Sequence, residues 1–328
     1  MRTGVVAMLL VGLMWSLHAQ PPRVPLLSYQ APDSVASLMA GYPLNNLPLL
    51  SRKLTSPFSR QRDQFRAIYK WVCENIEGDV RLFQTNRKKR LQWINDPVAL
   101  AGWNRQIGPQ TWRNLVTQRK TICTGYAALI RELCTQAGIR CVVVDGYGRN
   151  RISNIGGTGT PNHSWNAVML DGQWYLCDAT WSAGSVNPEL GSYERHFEEA
   201  YFLPEPLLFA SNHYPIDTAW LLMRSKPTLT DFLEAPLIYS AALDFQVESL
   251  TPAKFRPSVR PRQAVACSLV SRKAAAVIIW TVDGEPAQTG GDHFQTSFRW
   301  PGGHTITAYF DGRPVVSWEV RVGVCVSK

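Results

Sequence analysis

Two stretches of the chain repeat apolar residues at helical spacing, three or four positions apart. One face of the first predicted helix carries Phe65, Ile68, Tyr69, Val72 and Ile76. One face of the second, which follows Cys123, carries Ala127, Ile130, Leu133, Cys134 and Ala137. A glycine, Gly78 or Gly138, follows each stripe and is the expected end of the helix. Both stretches are therefore predicted to be amphipathic helices with one buried face.

After the second helix the pattern becomes that of strands. Residues 141–144 form a continuous apolar run, typical of a buried strand. Two further strands are predicted at 164–170 and 173–178, and only Asp171-Gly172 separates them, which is a strong hairpin signal. With a two-residue turn, Leu170 faces Gln173, and this pair sets the register of the whole hairpin.

From about residue 241 the pattern changes again. Short apolar runs at 277–282, 304–310 and 315–322 are separated by Asp-Gly or Gly-Gly pairs, and no helical stripe lies between them. This pattern predicts a small β-sandwich at 241–328. The helices and the hairpin before it are assigned to one domain at 56–240.

The beginning of the chain differs from the rest. Arg2 precedes an apolar run from Val5 to Trp15, and the segment ends on a small residue, Ala19. That order is typical of a cleaved secretory signal, whereas a retained membrane anchor needs about 18 apolar residues. We therefore predict a signal peptide at 1–19 and a secreted or periplasmic protein without a transmembrane segment after cleavage. Residues 20–55 contain six prolines and are expected to be an extended arm.

Charge limits the kinds of partner. The formal net charge is +9 over the whole chain, and removal of Arg2 with the signal lowers it by one. In an exported protein this charge favours anionic cell-envelope material as a partner and makes nucleic acid an unsuitable one. The densest basic run, Arg87-Lys88-Lys89-Arg90, is interpreted as a solvated face.

The cysteine content bears on redox state and on metals. All seven cysteines follow the predicted signal, so at least one is free or pairs between molecules. Cys267 and Cys325 both lie in the predicted sandwich and are the first pair to examine for a disulfide. No Cys-x-x-Cys spacing occurs, and we expect neither a metal nor a cofactor.

Three residues of these elements could act together in catalysis. Cys123 begins the second helix, whose N-terminus favours a negative group, and Lys120 is close, so both favour the reactive thiolate. In the hairpin register, His163 and Asp178 lie on one face of neighbouring strands, diagonally opposite at about 7–8 Å between α-carbons. The carboxylate could orient the imidazole while its other nitrogen faces the thiol. Each residue alone is more often structural, but the conjunction favours catalysis.

These residues lie in three blocks that resemble the catalytic blocks of the transglutaminase-like superfamily. The blocks are Cys123-Thr124-Gly125-Tyr126-Ala127, residues 162–168 and residues 174–181. The resemblance spans roughly residues 56–240, and Tyr201-Phe202-Leu203-Pro204 is similar to the kyphoscoliosis-peptidase branch. It implies a papain-like fold with Cys123 as nucleophile, His163 as its base and Asp178 as the orienting acid.

The chain departs from the family pattern at two positions near the expected cleft. Gly78 stands where tyrosine is frequent, and Thr121 stands where glycine is usual. The oxyanion donor is expected to be the backbone N–H of Cys123, with Trp112 and Gln118 as further candidates. His213 matches a family position without a catalytic role and is interpreted as packing.

We therefore predict an α+β protein. In its papain/transglutaminase-like core, the helix carrying the cysteine packs on an antiparallel sheet carrying the histidine and aspartate, and a small Ig-like β-sandwich follows. The predicted function is acyl transfer from protein or peptide amides through a Cys-His-Asp triad. Water as acceptor gives a peptidase or amidase, an amine gives a transglutaminase, and the sequence leaves both open. The alternative is a non-catalytic cell-envelope binding or assembly module that keeps the fold.

Overall fold

The computed structural model of the protein describes residues 28–156, 159–187 and 190–323. The predicted signal peptide and Cys325 lie outside these ranges. Within them, no helix combines the length and the apolar character needed to cross a membrane. The fold belongs to the predicted α+β class, with most helices in the first half of the chain and most strands in the second.

The helices and strands follow one another from Gln30 to Val322. The α-helices are α1 Gln30–Leu38, α2 Leu47–Thr55, α3 Gln61–Asn75, α4 Val80–Gln92, α5 Pro97–Gln118, α6 Cys123–Gln136, α7 Ala179–Ala183, α8 Pro206–Phe209, α9 Leu229–Glu234 and α10 Ser240–Asp244. The strands are β1 Glu77–Gly78, β2 Lys120–Thr121, β3 Cys141–Gly148, β4 His163–Leu170, β5 Gln173–Cys177, β6 Gly184–Asn187, β7 Ser192–Arg195, β8 His213–Pro215, β9 Leu237–Ile238, β10 Val247–Thr251, β11 Ser258–Val259, β12 Ala264–Ser271, β13 Ile278–Val282, β14 Glu285–Thr289, β15 His293–Ser297, β16 Gly302–Phe310 and β17 Arg313–Val322.

The described part of the segment before the core contains two helices, which corrects the expectation of an extended arm at 20–55. α1 and α2 are nine residues long each, and their prolines, Pro32 and Pro48, lie in the first turn. The backbone N–H groups of a first turn have no intrahelical acceptor, so proline costs nothing there. Asn46 caps α2 by accepting a hydrogen bond from the Leu49 N–H at 3.0 Å. These prolines begin helices instead of preventing them.

Arg66 of α3 fastens the N-terminal segment to the core. Its side chain is 3% exposed, and its guanidinium donates to Asp33 of α1 at 2.6 and 2.9 Å. It also donates to Glu199 at 2.5 and 2.9 Å and lies over the rings of Tyr29 and Phe202. Two acids and three aromatic rings, the third being Phe197, thus surround one buried cation, and α1 is part of the packed domain.

The core of the first domain joins α3, α6 and a four-stranded antiparallel sheet of order β5-β4-β3-β8. The predicted helical stripe on α3 is fully buried, and α6 packs on both β3 and β4. In the β4–β5 hairpin, Leu170 pairs with Gln173 and Asn166 pairs with Cys177. This is the register that the two-residue turn predicted.

A helical hairpin, α4 and α5, separates α3 from α6 along the chain. Asp79 and Asp96 cap its helices by accepting hydrogen bonds from the backbone N–H groups of Leu82 and Ala99, the third residue of each helix. The rings of Trp93 and Trp103 pack against each other with centroids 5.9 Å apart. The parallel pairing of β1 with β2 closes the base of the hairpin beside Cys123. Because the hairpin has only a small core of its own, no long apolar stripe marks it in the sequence.

Two C-terminal sheets, mostly antiparallel, form the predicted sandwich. One has the order β10-β12-β15, and the other has β11-β17-β16-β13-β14 with β9 added on β17. Trp280 of β13 stacks on Phe294 of β15 at 5.6 Å, so the two sheets pack face to face. β9 begins at residue 237, slightly before the predicted boundary at 241. Cys267 is buried between the sheets as a free thiol.

Candidate active site

Cys123 lies at the first position of α6, where several local features keep its sulfur available. The residue before it, Ile122, has no polar side chain, and α6 has no side-chain cap. The first backbone N–H groups of α6 therefore keep their partial positive charge directed at the helix N-terminus, which favours a thiolate there. The side chain is partly exposed, and its thiol is free.

The hairpin brings His163 and Asp178 together. β5 ends at Cys177, so Asp178 leaves the strand and becomes the N-cap of α7. Its Oδ2 accepts a hydrogen bond from Nε2 of His163 at 2.7 Å. The two-residue turn fixes the register of the hairpin, and this register places both side chains on the same side of the sheet. The change from strand to helix at Asp178 then lets its carboxylate reach the ring of His163.

Four donors satisfy the Asp178 carboxylate, which is fully buried. Oδ1 accepts from the backbone N–H groups of Thr180 at 2.8 Å and Trp181 at 3.3 Å. Oδ2 accepts from Nε2 of His163 and, at 3.1 Å, from Nε2 of His213. Burial alone raises the pKa of Asp178, but the two histidines outweigh it and hold the pKa well below its ordinary value. The group is therefore a fixed anion inside the domain.

His163 connects this anion to the thiol. Its ring hydrogen-bonds to Asp178, and the Cys123 side chain lies close enough to the ring to interact with its charge. Burial lowers the pKa of His163, but the Asp178 charge, its hydrogen bond and the Cys123 side chain together raise the pKa well above its ordinary value. Trp181 stacks on the ring with centroids 5.0 Å apart. The arrangement favours an imidazolium facing the sulfur.

His213, predicted from the sequence to be a packing residue, also lies in the candidate site. It does pack, stacked on Phe209 with centroids 4.0 Å apart. It also donates to Asp178, and the Asn212 amide lies 2.6 Å from its other ring nitrogen. Burial lowers the pKa of His213 despite the neighbouring Asp178 carboxylate, so this ring is kept neutral. The only sequence signal was its place in the segment His213-Tyr214-Pro215.

The ligand atoms of His163, Asp178 and His213 lie within 4.8 Å of one another, close enough for a metal site by distance. Both histidine nitrogens that face the carboxylate are already engaged in hydrogen bonds to it. A metal ion would have to break both bonds and displace both protons. The geometry therefore favours a hydrogen-bonded group over a metal centre.

Neighbouring residues compensate for both departures from the family pattern. A β-carbon at Gly78 would lie 2.8 Å from the ring of Tyr193, so that ring fills the space of a side chain at 78. A β-carbon at Gly125 would lie 1.8 Å from the hydroxyl of Thr121, so glycine in α6 makes room for the threonine. Both changes are accommodated without moving Cys123 from the start of α6.

The oxyanion candidates differ in their surroundings. Trp112 on α5 is 39% exposed, and Gln118 at the end of α5 is also exposed. Among the residues that the structure describes, no hydrogen bond joins either side chain to the proposed triad. The backbone N–H of Cys123, which has no capping partner, stays the best placed donor.

Comparison with known proteins relates the first domain to a known superfamily. Residues 49–179 match the family model of the transglutaminase-like superfamily, from within α2 to the start of α7. The chain carries a transglutaminase-like domain. This domain supports a function of the thiol acyl-transfer or peptidase kind at the level of the family.

Three curated relatives give the range of similarity. Kyphoscoliosis peptidase of Mus musculus is 33% identical over 172 residues, which are 52% of this chain and 23% of that protein. The Homo sapiens protein of the same name is 32% identical over the same shares. Lim and transglutaminase domain protein ltd-1 of Caenorhabditis elegans is 25% identical over 252 residues, 73% of this chain and 32% of that protein. The matched region thus covers less than a third of the length of each relative.

Proposed function

We propose that this protein transfers acyl groups from protein or peptide amides through a thioester on Cys123. In this proposal His163 is the general base and acid, and Asp178 orients it. The supporting observation is the 2.7 Å hydrogen bond between His163 Nε2 and Asp178 Oδ2, with the Cys123 side chain near enough to the same ring to affect its charge. The transglutaminase-like domain supports the same chemistry.

The first half-reaction forms the thioester. Because Nε2 of His163 is bound to the carboxylate, Nδ1 is the nitrogen left to face the sulfur. The thiolate attacks the amide carbon, and the oxyanion that develops accepts a hydrogen bond from the Cys123 backbone N–H. The C–N bond then breaks, and the departing amine takes the proton from His163.

The second half-reaction releases the acyl group. Neutral His163 removes a proton from the acceptor, which attacks the thioester carbon and returns the thiolate. Water as acceptor gives a carboxylic acid, and an amine gives a new amide. Asp178 stays ionised throughout, because four donors stabilise its charge in every step.

A mixture of glutamine-containing peptides with and without a primary amine tests the proposal. The purified protein, its Cys123→Ala variant and a Cys141→Ala variant are incubated with the mixture, and the products are analysed by mass spectrometry. Cys141 is a second partly exposed free thiol and serves as the matched control. We expect hydrolysis or amide exchange with the unmodified chain and with the Cys141 variant, and none with the Cys123 variant.

Two results would contradict the proposal. One is product formation that persists in Cys123→Ala at an undiminished rate. The other is the absence of any product, on a broad peptide pool, from protein whose Cys123 is demonstrably a free thiol. The proposal also includes export, which depends on residues 1–19 alone.

A further inference from the structure

The basic run of α4 does not present all of its charges in the same direction. Arg87 and Lys88 are exposed, as expected for a solvated face, but Arg90 is half-buried. Its guanidinium donates to the side chain of Asn104 on α5 at 3.1 Å and to the backbone oxygen of Pro161. Arg90 therefore spans from the helical hairpin to the loop that leads into β4.

That position is beside the proposed nucleophile. Pro161 lies two residues before His163, and the charge of Arg90 interacts electrostatically with Cys123 and with Asp145 of β3. Burial lowers the pKa of Arg90, and these two neighbours oppose the change. Because the ordinary pKa of arginine is above 12, the group keeps its charge. A permanent cation thus lies near Cys123 and the loop that precedes His163.

The guanidinium has unused hydrogen-bonding capacity. Arginine has five N–H donors, and the bonds to Asn104 and Pro161 use two of them. Within the described part of the chain, Arg90 forms no ion pair. Its remaining donors have the fork geometry that suits a carboxylate.

The rest of the hairpin adds to this positive charge. Residues 80–118 contain seven basic side chains and a single acidic one, Asp96. None of the seven takes part in an ion pair with any residue that the structure describes, although ion pairs are frequent elsewhere in the chain. Uncompensated basic groups of this kind attract anionic ligands.

We propose that Arg90 is a specificity-determining residue that binds a carboxylate of the acyl donor, so that the preferred donors are acidic peptides. The role of the bound molecule as an acyl donor rests on the proposed function. The affinity of the site for anions does not. The carboxylate belongs to an aspartate or glutamate near the reacting amide or to a peptide C-terminus, and both present the same group to the guanidinium.

The first test uses the charge of an alkylating reagent and requires no turnover. Iodoacetate is anionic and iodoacetamide is neutral, and both transfer a carbon to the Cys123 sulfur with loss of iodide. We expect Arg90→Gln to lower the ratio of the iodoacetate rate to the iodoacetamide rate by about threefold to tenfold, since one nearby unit charge is lost. Lys88→Gln removes an exposed charge from the same helix and should change the ratio far less than Arg90→Gln, because solvent screens an exposed charge.

Two further measurements keep this test decisive if the glutamine variant does not fold. Arg90→Lys keeps the charge but lacks the planar guanidinium, and it should retain most of the ratio of the iodoacetate rate to the iodoacetamide rate. In the unaltered protein the ratio should fall as salt is raised to about 1 M, because screening weakens the attraction. A ratio that is independent of salt and of Arg90 overturns the proposal.

The second test compares peptide donors. Peptides with glutamate beside the reacting glutamine and an amidated C-terminus are compared with neutral peptides that have a free or an amidated C-terminus. We expect a higher kcat/KM for the glutamate-bearing peptides, or for the neutral peptides with a free C-terminus, than for the neutral amidated peptides. Arg90→Gln should remove this preference. Equal kcat/KM values for all donors overturn the substrate class. An Arg90-dependent alkylation ratio without any turnover leaves the anion site standing and overturns the proposed function instead.

Discussion

Replacement of Asp178 by asparagine tests the electrostatic basis of the site. The side chain keeps its shape, and its oxygen can still cap α7 through Thr180 and Trp181. The amide nitrogen then faces the ring nitrogens of His163 and His213, which both donate to Oδ2 in the unaltered protein. The substitution therefore removes a charge and places an N–H donor opposite the two ring N–H donors, where the unaltered protein has an acceptor.

The magnitude follows from the burial of the pair. The side chains of His163 and Asp178 are 7% and 1% exposed, so water screens their interaction weakly. Unit charges about 4 Å apart in surroundings of effective dielectric about 20 interact by about 4 kcal/mol. At about 1.4 kcal/mol per pKa unit, this energy corresponds to a change of about three units in the pKa of the imidazole. Loss of Asp178 thus brings the ionisation of the thiol and imidazole pair close to that of ordinary groups.

The assay is the rate of iodoacetamide alkylation at Cys123 between pH 5.5 and 7.5, measured by peptide mass spectrometry. In the unaltered protein the rate should change by less than about threefold, because His163 stays protonated near the sulfur over this range. In Asp178→Asn it should fall by about tenfold per pH unit, as it does for an ordinary thiol of pKa about 8.5. The slope is a better measure than the rate itself, since a stabilised thiolate is also a weaker nucleophile.

Asp217→Asn is the matched control for this experiment. Asp217 also caps a short helical turn, accepting from the Ala219 N–H at 2.9 Å, but it is exposed and faces no histidine. It should keep the flat profile of the unaltered protein. A flat profile in Asp178→Asn, or a steep one in the unaltered protein, would refute the electrostatic reasoning.

Two predictions concern stability. His213 is buried with its pKa lowered, so its contribution to the free energy of unfolding is present above about pH 6.5 and is lost as the pH falls. His213→Gln should reduce the slope of the free energy of unfolding against pH by up to about 1.4 kcal/mol per pH unit, measured by urea unfolding. Equal slopes in the variant and the unaltered protein would contradict the assignment. Arg66→Met leaves Asp33 and Glu199 without their cation and should cost about 3 kcal/mol. Arg272→Met, whose ion pairs are exposed, should cost less than about 1 kcal/mol, and equal losses would contradict the role of burial.

Local patterns determined much of this fold. The stripe of α3 is fully buried because helical periodicity requires one continuous apolar face, and packing against α6 covers it. The β4–β5 register followed from Asp171-Gly172, since a two-residue turn leaves a single pairing of the strands. The His163–Asp178 hydrogen bond follows from that register and the change to α7.

Other features depended on parts of the chain that are distant in sequence. His213 reaches Asp178 only because β8 pairs with β3 at the edge of the sheet. Arg90 reaches the neighbourhood of Cys123 only because the α4–α5 hairpin packs beside the loop that leads into β4. The helices within residues 20–55 contradict the prediction of an extended arm, because proline breaks a helix only in its interior and Pro32 and Pro48 lie in first turns.

The difference between the features that were predicted and those that were not has a physical cause. Helical stripes, hairpin turns and the thiol at a helix start depend on interactions between residues a few positions apart, so the sequence by itself determines them. A second histidine on a buried carboxylate and a cation beside a thiol depend on how separate elements pack. Packing is decided by the shapes and charges of whole surfaces, such as the Arg66 cluster, and no short pattern records it. The proposed nucleophile and its base were therefore visible in the sequence, while the groups around them appeared only in the tertiary structure.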